Sequence, residues 1–288
     1  MIPAEAFALA CGLFTAINLI LLKKGLAHGN PITATLISLA INVLSFWSFV
    51  LIVVPPDRIL RPELWIFVLV GLIQPGGTRF LAYLSVEKVG VAVTSPIRAT
   101  TPLFSSLMAI AVLGEQLTPA VGAGTALVVF GITLLSLREE KTGAWMNILV
   151  ALPLLSAFVA GSTQVIRKVG LAQITLPILG AAVTTGTSLV AVAVSITVSR
   201  KWSAVTFDRR SLGYFLLAGC AVTGGVASIY MSLYLSDVVI VAPLSSLSPL
   251  YSLVLSAVFL REVEVITMRK VVAAVLIVLG VVLITAIR

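Results

Sequence analysis

Ten stretches of about 20 mostly apolar residues follow one another along almost the whole chain, and they constrain its fold more than any other feature. An α-helix rises about 1.5 Å per residue, so roughly 20 residues cross the ~30 Å hydrocarbon core of a bilayer. The links between the stretches are too short to hold a soluble domain. The sequence therefore predicts an all-α integral membrane protein with ten transmembrane helices. The predicted spans are 3–22, 31–54, 64–86, 91–113, 118–137, 144–166, 176–198, 212–236, 238–260 and 266–287.

The composition supports this prediction and excludes several classes of protein. Of the 288 residues, 59% are apolar and only 10% are charged, whereas about 25% are charged in a typical soluble domain. These values exclude a soluble globular enzyme, a disordered regulator and a secreted disulfide scaffold. The net charge of +8 is scattered between apolar runs, so we expect no nucleic-acid partner. Cys11 and Cys220 lie inside apolar stretches, which predicts packing groups rather than a disulfide.

The two halves of the chain resemble each other. When 147 is added to the residue numbers, segment 83–115 aligns with segment 230–262 without a gap, and Glu115 meets Glu262. The predicted domains are residues 1–140 and 141–288, with five helices each. Because five is odd, the second repeat enters the membrane upside down relative to the first. Inverted repeats are typical of alternating-access transporters, whose substrate site lies near the bilayer midplane between the repeats.

Two short motifs occur once in each half. They are Pro102-Leu103-Phe104 followed by Leu113-Gly114-Glu115, and Pro249-Leu250-Tyr251 followed by Leu260-Arg261-Glu262. With these motifs, and with Gly131 and Gly280, the chain resembles the drug/metabolite transporter superfamily in its ten-helix form with two EamA domains. Arg261 departs from the glycine that usually precedes the acidic residue. The resemblance covers nearly the whole chain and implies a central cavity and cytoplasmic termini, but its motifs do not name a substrate.

The basic residues disagree with that orientation. With cytoplasmic termini, five Lys and Arg residues lie on the inner face and twelve on the outer face, and the positive-inside rule would place the termini outside. The five are Arg58, Arg61, Arg167, Lys168 and Arg288. We keep the family orientation as the expectation. The predicted location is a prokaryotic inner membrane, where either a monomer or a homodimer fits the sequence.

Two arginines lie well inside the predicted spans, Arg79 in helix 3 and Arg98 in helix 4. Each is nine or ten residues from the turn near Lys88, hence about 14 Å from that end and close to the midplane. An arginine at that depth costs at least ~2.5 kcal/mol unless it faces a wet cavity or an anion. All eleven acidic residues fall at helix ends or in loops. A substrate anion is the candidate counter-ion; the alternative is that the arginines bind carbonyls freed by nearby prolines.

Prolines and polar side chains surround Arg98. Pro96 and Pro102 in helix 4, and Pro243 and Pro249 in helix 9, remove backbone donors and predict bends of the kind found at transporter sites. Thr101 and Ser105 share the helical face of Arg98, and Ser245 and Ser248 lie on the matching face of helix 9.

Five more side chains are candidates for the cavity wall. They are Gln74, Tyr83, Tyr230, Asn18 and Gln164. Either tyrosine suits stacking on a substrate or anchoring near the membrane interface. The amides, and likewise the serines and threonines, suit a cavity wall or hydrogen bonds between helices.

The sequence predicts a secondary transporter of a small anionic or zwitterionic metabolite: an amino acid, an organic acid or a phosphorylated metabolite. A translocase of anionic lipid is the alternative transport function. An integral-membrane enzyme is the alternative from another class, but one histidine, two separated cysteines and no buried acid leave no catalytic or metal-binding constellation. We therefore predict no cofactor and no metal site. The expected partners are the small-molecule substrate and the lipid bilayer.

Overall fold

The computed structural model describes residues 3–55, 59, 61–74, 78–89, 91–136, 148–259 and 267–286. Within these residues, helix is the only regular secondary structure. The α-helices are α1 (Ala4–Leu26), α2 (Pro31–Val53), α3 (Trp65–Leu72), α4 (Thr78–Val89), α5 (Val91–Arg98), α6 (Thr101–Leu113), α7 (Pro119–Ser136), α8 (Ala151–Gln173), α9 (Pro177–Val198), α10 (Arg209–Leu235), α11 (Val238–Ser245), α12 (Ser248–Phe259) and α13 (Met268–Ala286). Short 3-10 helices lie at Pro62–Leu64, Ile148–Val150 and Trp202–Ala204.

Eight helical stretches in the described part of the chain are long and apolar enough to cross a membrane. Two of them, Val93–Leu113 and Val238–Leu255, each include a broken helix pair. Large apolar side chains cover their outer surfaces; Ile52 is 83% exposed and Val198 is 79% exposed. Lipid, not water, suits such a surface. The predicted all-α membrane fold is confirmed.

Some helix boundaries differ from the prediction. The sixth predicted span, 144–166, corresponds to α8, which runs from Ala151 to Gln173 and so carries Arg167 and Lys168 inside the helix. The eighth begins at Arg209, where the carboxylate of Asp208 accepts hydrogen bonds from two backbone N–H groups of the first turn. Residues 75–77, inside the third predicted span, lie outside the described residues.

The first helix of each repeat packs against helices of the other repeat. Helix α1, the first of its repeat, packs against α10, α11 and α12 of the second half. Helix α8, the first of the second repeat, packs in the same way against α3, α4, α5 and α6 of the first half. The helices α2 and α9 are repeat mates and pack together, as do α7 and α13. A two-fold relation between the halves produces this pattern of exchanged and self-paired contacts.

Helices α7 and α13 approach closely at glycines. A Cβ added to Gly124 would lie 2.7 Å from the carbonyl oxygen of Gly280, and one added to Gly280 would lie 2.6 Å from the carbonyl oxygen of Gly124. Because no other residue lacks a Cβ, the crossing requires glycine on both helices. Small residues that let backbones touch are the usual means of packing helices in lipid.

Candidate functional site

A cavity of about 690 Å³ lies between the two halves. Helices α1, α5, α6, α8, α11 and α12 all contribute to its wall. Of the side chains predicted for the site, it brings together Gln74, Arg98, Thr101, Gln164, Ser245 and Ser248, with Pro102 and Pro249 beside them. Its volume falls within the ~300–1,000 Å³ of ordinary small-molecule sites.

Two helix breaks open onto this cavity at equivalent places. Helix α5 ends at Arg98 and α6 begins at Thr101; 147 residues later, α11 ends at Ser245 and α12 begins at Ser248. Pro96 lies in the last turn of α5 and Pro243 in the last turn of α11. Hydroxyl groups satisfy carbonyls at both breaks: Thr101 donates to the Arg98 carbonyl at 2.7 Å, and Ser245 to that of Ala242 at 3.1 Å. Interrupted helices are tolerated in a membrane where such partners exist.

A second cavity, of about 260 Å³, adjoins the first. The two share Cys11, Thr15, Gln74, Arg167 and Ile229 in their walls. The rest of the smaller cavity's polar wall comes from Asn18, Ser38, Asn42, Thr184, Thr185, Ser188 and Tyr230. In neither cavity does a described wall residue carry a carboxylate.

Arg167 stands where the two cavities meet. Its guanidinium donates a hydrogen bond to the side-chain oxygen of Gln74 and lies over the ring of Tyr230, 5.4 Å from the ring centre. Tyr230 is itself buried, and its hydroxyl lies 2.6 Å from the hydroxyl of Thr184. The Nε of Arg167 is buried and has no hydrogen-bond partner among the described residues. Neutral groups therefore hold a positive charge in place at the cavity wall.

Arg98 and Arg167 reach the cavity from opposite membrane faces. Arg98 lies seven residues after the start of α5, hence about 11 Å from that end. Arg167 lies six residues before the end of α8, hence about 9 Å from the other face. Both lie within a hydrocarbon core of ~30 Å. The sequence assigned Arg167 to the inner-face loop, which is wrong: it lies inside α8.

The remaining predicted residues fall in three groups. Asn18 and Tyr230 line the smaller cavity. Ser105 lines neither cavity; it is buried, donates to the carbonyl of Thr101 at 3.1 Å and faces α8, where a Cβ added to Gly161 would lie 2.9 Å from the Ser105 nitrogen. Arg79 and Tyr83 belong to α4, but their side chains lie outside the described residues.

Below the cavity, a carboxylate joins the two repeats. Glu115, just past α6, accepts hydrogen bonds from the backbone N–H groups of Val238 and Val239 at 2.9 and 3.0 Å and so caps α11. Burial is the main cause that raises the pKa of Glu115 above its ordinary value, and the two hydrogen bonds oppose it. Nearby, the ammonium of Lys168 donates to the carbonyls of Leu233 and Ser236 at the end of α10. Both contacts fix the α10–α11 turn.

The family model of the EamA-like transporter family matches the chain twice, over residues 2–137 and 145–286. The chain belongs to the EamA-like transporter family. The family forms part of the drug/metabolite transporter superfamily, so the resemblance read from the sequence is confirmed. The double match also fits a two-repeat membrane fold, whereas the domain boundary between residues 140 and 141 stays a prediction.

Two further similarities accompany the EamA family match. The Uncharacterized protein MJ1333.1 of Methanocaldococcus jannaschii is 33% identical over 78 residues, which span 27% of this chain and 56% of that protein. A solved crystal structure superposes with a TM-score of 0.80 at 18% identity, covering 98% of this chain and 96% of the other. At that identity the likeness concerns the fold alone.

Among the described residues, no cluster of His, Cys, Asp and Glu could hold a metal ion.

Proposed function

We propose that this EamA family member is a secondary transporter for a small metabolite that carries a negative charge, as an anion or as a zwitterion. The observation that carries the proposal is that Arg98 and Arg167 line one cavity, whose described wall holds no carboxylate. The positive potential of two guanidinium groups in a low-dielectric wall attracts an anion and repels a cation.

The geometry of Arg167 supports an anion site. A guanidinium group presents N–H donors in a planar fork that matches carboxylate or phosphate oxygens. Stacking on Tyr230 and bonding to Gln74 hold that fork in position before any ligand arrives. A group that is ordered in advance loses less conformational entropy on binding.

The paired helix breaks support transport by alternating access. Both breaks lie at the cavity, one in each repeat, and the repeats exchange their packing partners. In inverted-repeat transporters, one repeat rocks against the other around a fixed site. We propose that α5–α6 and α11–α12 bend at these breaks while the cavity opens to one side and then to the other. Such a transporter moves its substrate chemically unchanged, and its partners are the substrate and the bilayer.

We further propose a prokaryotic inner membrane with cytoplasmic termini, the orientation of the family. Arg167 lies in the cavity, which lowers the number of basic residues on the inner face further below the number on the outer face. The positive-inside rule therefore still opposes this orientation. Cysteine labelling at His28 and Glu140, in a cysteine-free background, tests the topology. Both positions should report the outer face; labelling from opposite sides would contradict the repeat, and labelling of both from inside would reverse the orientation.

Reconstituted uptake tests the function. Purified protein in liposomes should take up one or more of radiolabelled lactate, malate, glutamate or phosphate with saturation and counterflow, and should not take up ethanolamine. Arg167→Gln and Arg98→Gln should reduce this uptake, whereas Arg209→Gln, an exposed arginine at the start of α10, should not. Uptake of ethanolamine alone would contradict the proposal. Movement of labelled phosphatidylglycerol without uptake of any soluble anion would instead favour a lipid translocase.

A further inference from the structure

The hydroxyl groups around the smaller cavity already use their hydrogens. Thr15 donates to the carbonyl of Cys11 at 2.8 Å, and Ser38 donates to that of Thr35 at 3.0 Å. Thr185 donates to the carbonyl of Ala181 at 2.8 Å, and Ser188 to that of Thr184 at 2.8 Å. The four hydroxyls come from α1, α2 and α9, so the arrangement surrounds the cavity.

This arrangement leaves oxygen lone pairs for a ligand. A hydroxyl group has one hydrogen to donate and two lone pairs that accept. Once the hydrogen is bound to a backbone carbonyl, only acceptor capacity is left for the cavity. The amide of Asn18 also faces the cavity and makes no hydrogen bond to any described residue. The small cavity is thus rich in acceptors, with Arg167 as the one positive group in its described wall.

We propose that the smaller cavity binds the hydroxyl groups of the substrate while Arg167 holds its anionic group, so that the substrate class is hydroxylated organic anions. This inference rests on the proposed function and narrows its substrate. A hydroxyl group donates its hydrogen to one of these hydroxyl oxygens, and it accepts from the Asn18 amide in return. An ammonium group would supply hydrogens too, but the adjacent Arg167 charge repels it. A hydrocarbon chain would leave the wall's acceptors and the Asn18 amide without partners.

The volumes of the two cavities suit a ligand that lies partly in each of them. A cavity of about 260 Å³ is slightly below the ~300 Å³ at which sites for whole drug-sized ligands begin. It therefore accommodates part of a ligand, and the adjoining cavity of about 690 Å³ accommodates the remainder and the path in or out.

A matched series of three-carbon acids tests the inference. Propionate, lactate and glycerate carry one carboxylate and zero, one and two hydroxyls, and alanine replaces a hydroxyl by an ammonium group. Their dissociation constants are measured by thermal-shift titration of the purified full-length chain in detergent. Each added hydroxyl should tighten binding about fivefold, because a net hydrogen bond contributes that much in affinity. Alanine should bind more weakly than lactate.

Two variants and one control test whether side chains of the smaller cavity bind the hydroxyl groups. Asn18→Leu and Thr185→Val should each bring glycerate toward the affinity of propionate while leaving propionate itself unchanged. Thr125→Val is the matched control, because Thr125 is a buried threonine of α7 that donates to its own helix at 2.7 Å and lines neither cavity. It should leave the whole series unchanged.

The outcomes separate this inference from the proposed function. Equal affinities for propionate, lactate and glycerate, or tightest binding of alanine, would overturn the hydroxyl subsite while leaving the anion site standing. A hydroxyl preference that survives in both Asn18→Leu and Thr185→Val would also overturn it. If none of the acids binds, the hydroxyl subsite is overturned, and uptake of malate, glutamate or phosphate decides separately on the proposed function. If Arg167→Gln binds all the acids as tightly as the unaltered chain does, the proposed function fails and the inference fails with it.

Discussion

Arg98 and Ser245 occupy equivalent positions in the two repeats and line the same cavity. Each is the last residue of a broken half-helix, α5 in the first repeat and α11 in the second. A serine ends its helix as well as an arginine does, so the helix break does not require the charge of Arg98. The charge is thus not a feature that the two repeats share, and we expect it to act in the cavity.

Arg98→Ser makes the two repeats alike at this position and should weaken binding of an anionic substrate. The lost charge-assisted contact is worth ~1.5–3 kcal/mol, or roughly ten- to hundredfold in affinity. Arg98→Lys should rescue binding only in part, since an ammonium group lacks the planar fork. Binding and melting temperature are measured on the same preparation, with Arg209→Ser as the control. A lower melting temperature with unchanged affinity would show that Arg98 is structural.

Pro102→Ala should slow transport more than it affects folding. Pro102 lies in the first turn of α6, where a backbone nitrogen has no carbonyl partner within its own helix. Alanine restores an N–H that can bond the Arg98 carbonyl and so join α5 to α6 across the break. Pro119→Ala is the control, because Pro119 begins α7 after a non-helical segment. We expect a severalfold lower initial rate of uptake for Pro102→Ala alone; equal rates would exclude the break from gating.

Glu115→Gln should lower the melting temperature and remove one component of its pH dependence. The amide offers one acceptor oxygen to the two N–H groups that Glu115 binds, so one charge-assisted bond of ~1.5–3 kcal/mol is lost. Burial raises the pKa of Glu115 above its ordinary 4.5, against the two hydrogen bonds; Asp237 adds to the rise and Lys168 opposes it. The folded chain therefore holds this proton more tightly than the unfolded chain does.

The sign of the pH effect follows from that raised pKa. Stability gained from proton binding at Glu115 is fully present below the unfolded-state pKa and is lost as the pH rises through the folded-state pKa. Between neutral pH and about 4.5, the melting temperature of the unaltered chain should rise relative to that of Glu115→Gln as the pH falls. Parallel curves would show that Glu115 does not titrate in this range, and a fall would contradict the raised pKa.

Cys11 should report the electrostatic potential of the site. It lines both cavities, whereas Cys220 is exposed elsewhere. In a Cys220→Ser background, an anionic methanethiosulfonate should modify Cys11 faster than a cationic one of similar size, because the arginines attract anions. Since both reagents attack the same thiol, their rate ratio isolates the potential. The ratio should fall in Arg167→Gln, and Cys220 in a Cys11→Ser background gives the reference ratio. A faster cationic reagent would contradict an anion site.

Much of this arrangement follows from the sequence. The apolar stretches predict the spans, and the prolines of helices 4 and 9 predict the two helix breaks, which lie at residues 99–100 and 246–247. The adjacent charges of Arg167 and Lys168 predict the end of a span at residue 166, and Arg167 is therefore absent from the predicted site. Gly170 follows these charges by two residues and favours a helix end there, yet α8 continues to Gln173, shortly before Pro177. Buried Gly170, which packs on Phe67, belongs to the same helix. A search for the next stop signal would have extended the helix past both charges.

Ser105 shows what a periodic pattern cannot predict. Thr101 and Ser105 lie one turn apart in α6 and share a helical face, so the break at residues 99–100 does not separate them. Thr101 lines the larger cavity, whereas α8 packs against α6 at Ser105, where Gly161 lets the backbones approach. Sequence periodicity gives the face of a helix, whereas the part of that face that meets a cavity depends on tertiary packing.

Melting temperatures of the unaltered chain and Arg167→Gln, measured with a matched panel of small ions, test the central claim most directly. A ligand that binds only the folded chain stabilises it, and the stabilisation grows with the logarithm of one plus the ratio of ligand concentration to dissociation constant. The shift in melting temperature therefore reports binding without a transport assay. Lactate, malate and phosphate represent anions; ethanolamine and putrescine represent cations. We expect at least one anion and neither cation to raise the melting temperature of the unaltered chain and of Arg209→Gln, and the rise to disappear in Arg167→Gln. Stabilisation by the cations alone, or an undiminished anion effect in Arg167→Gln, would contradict an anion site built on Arg167.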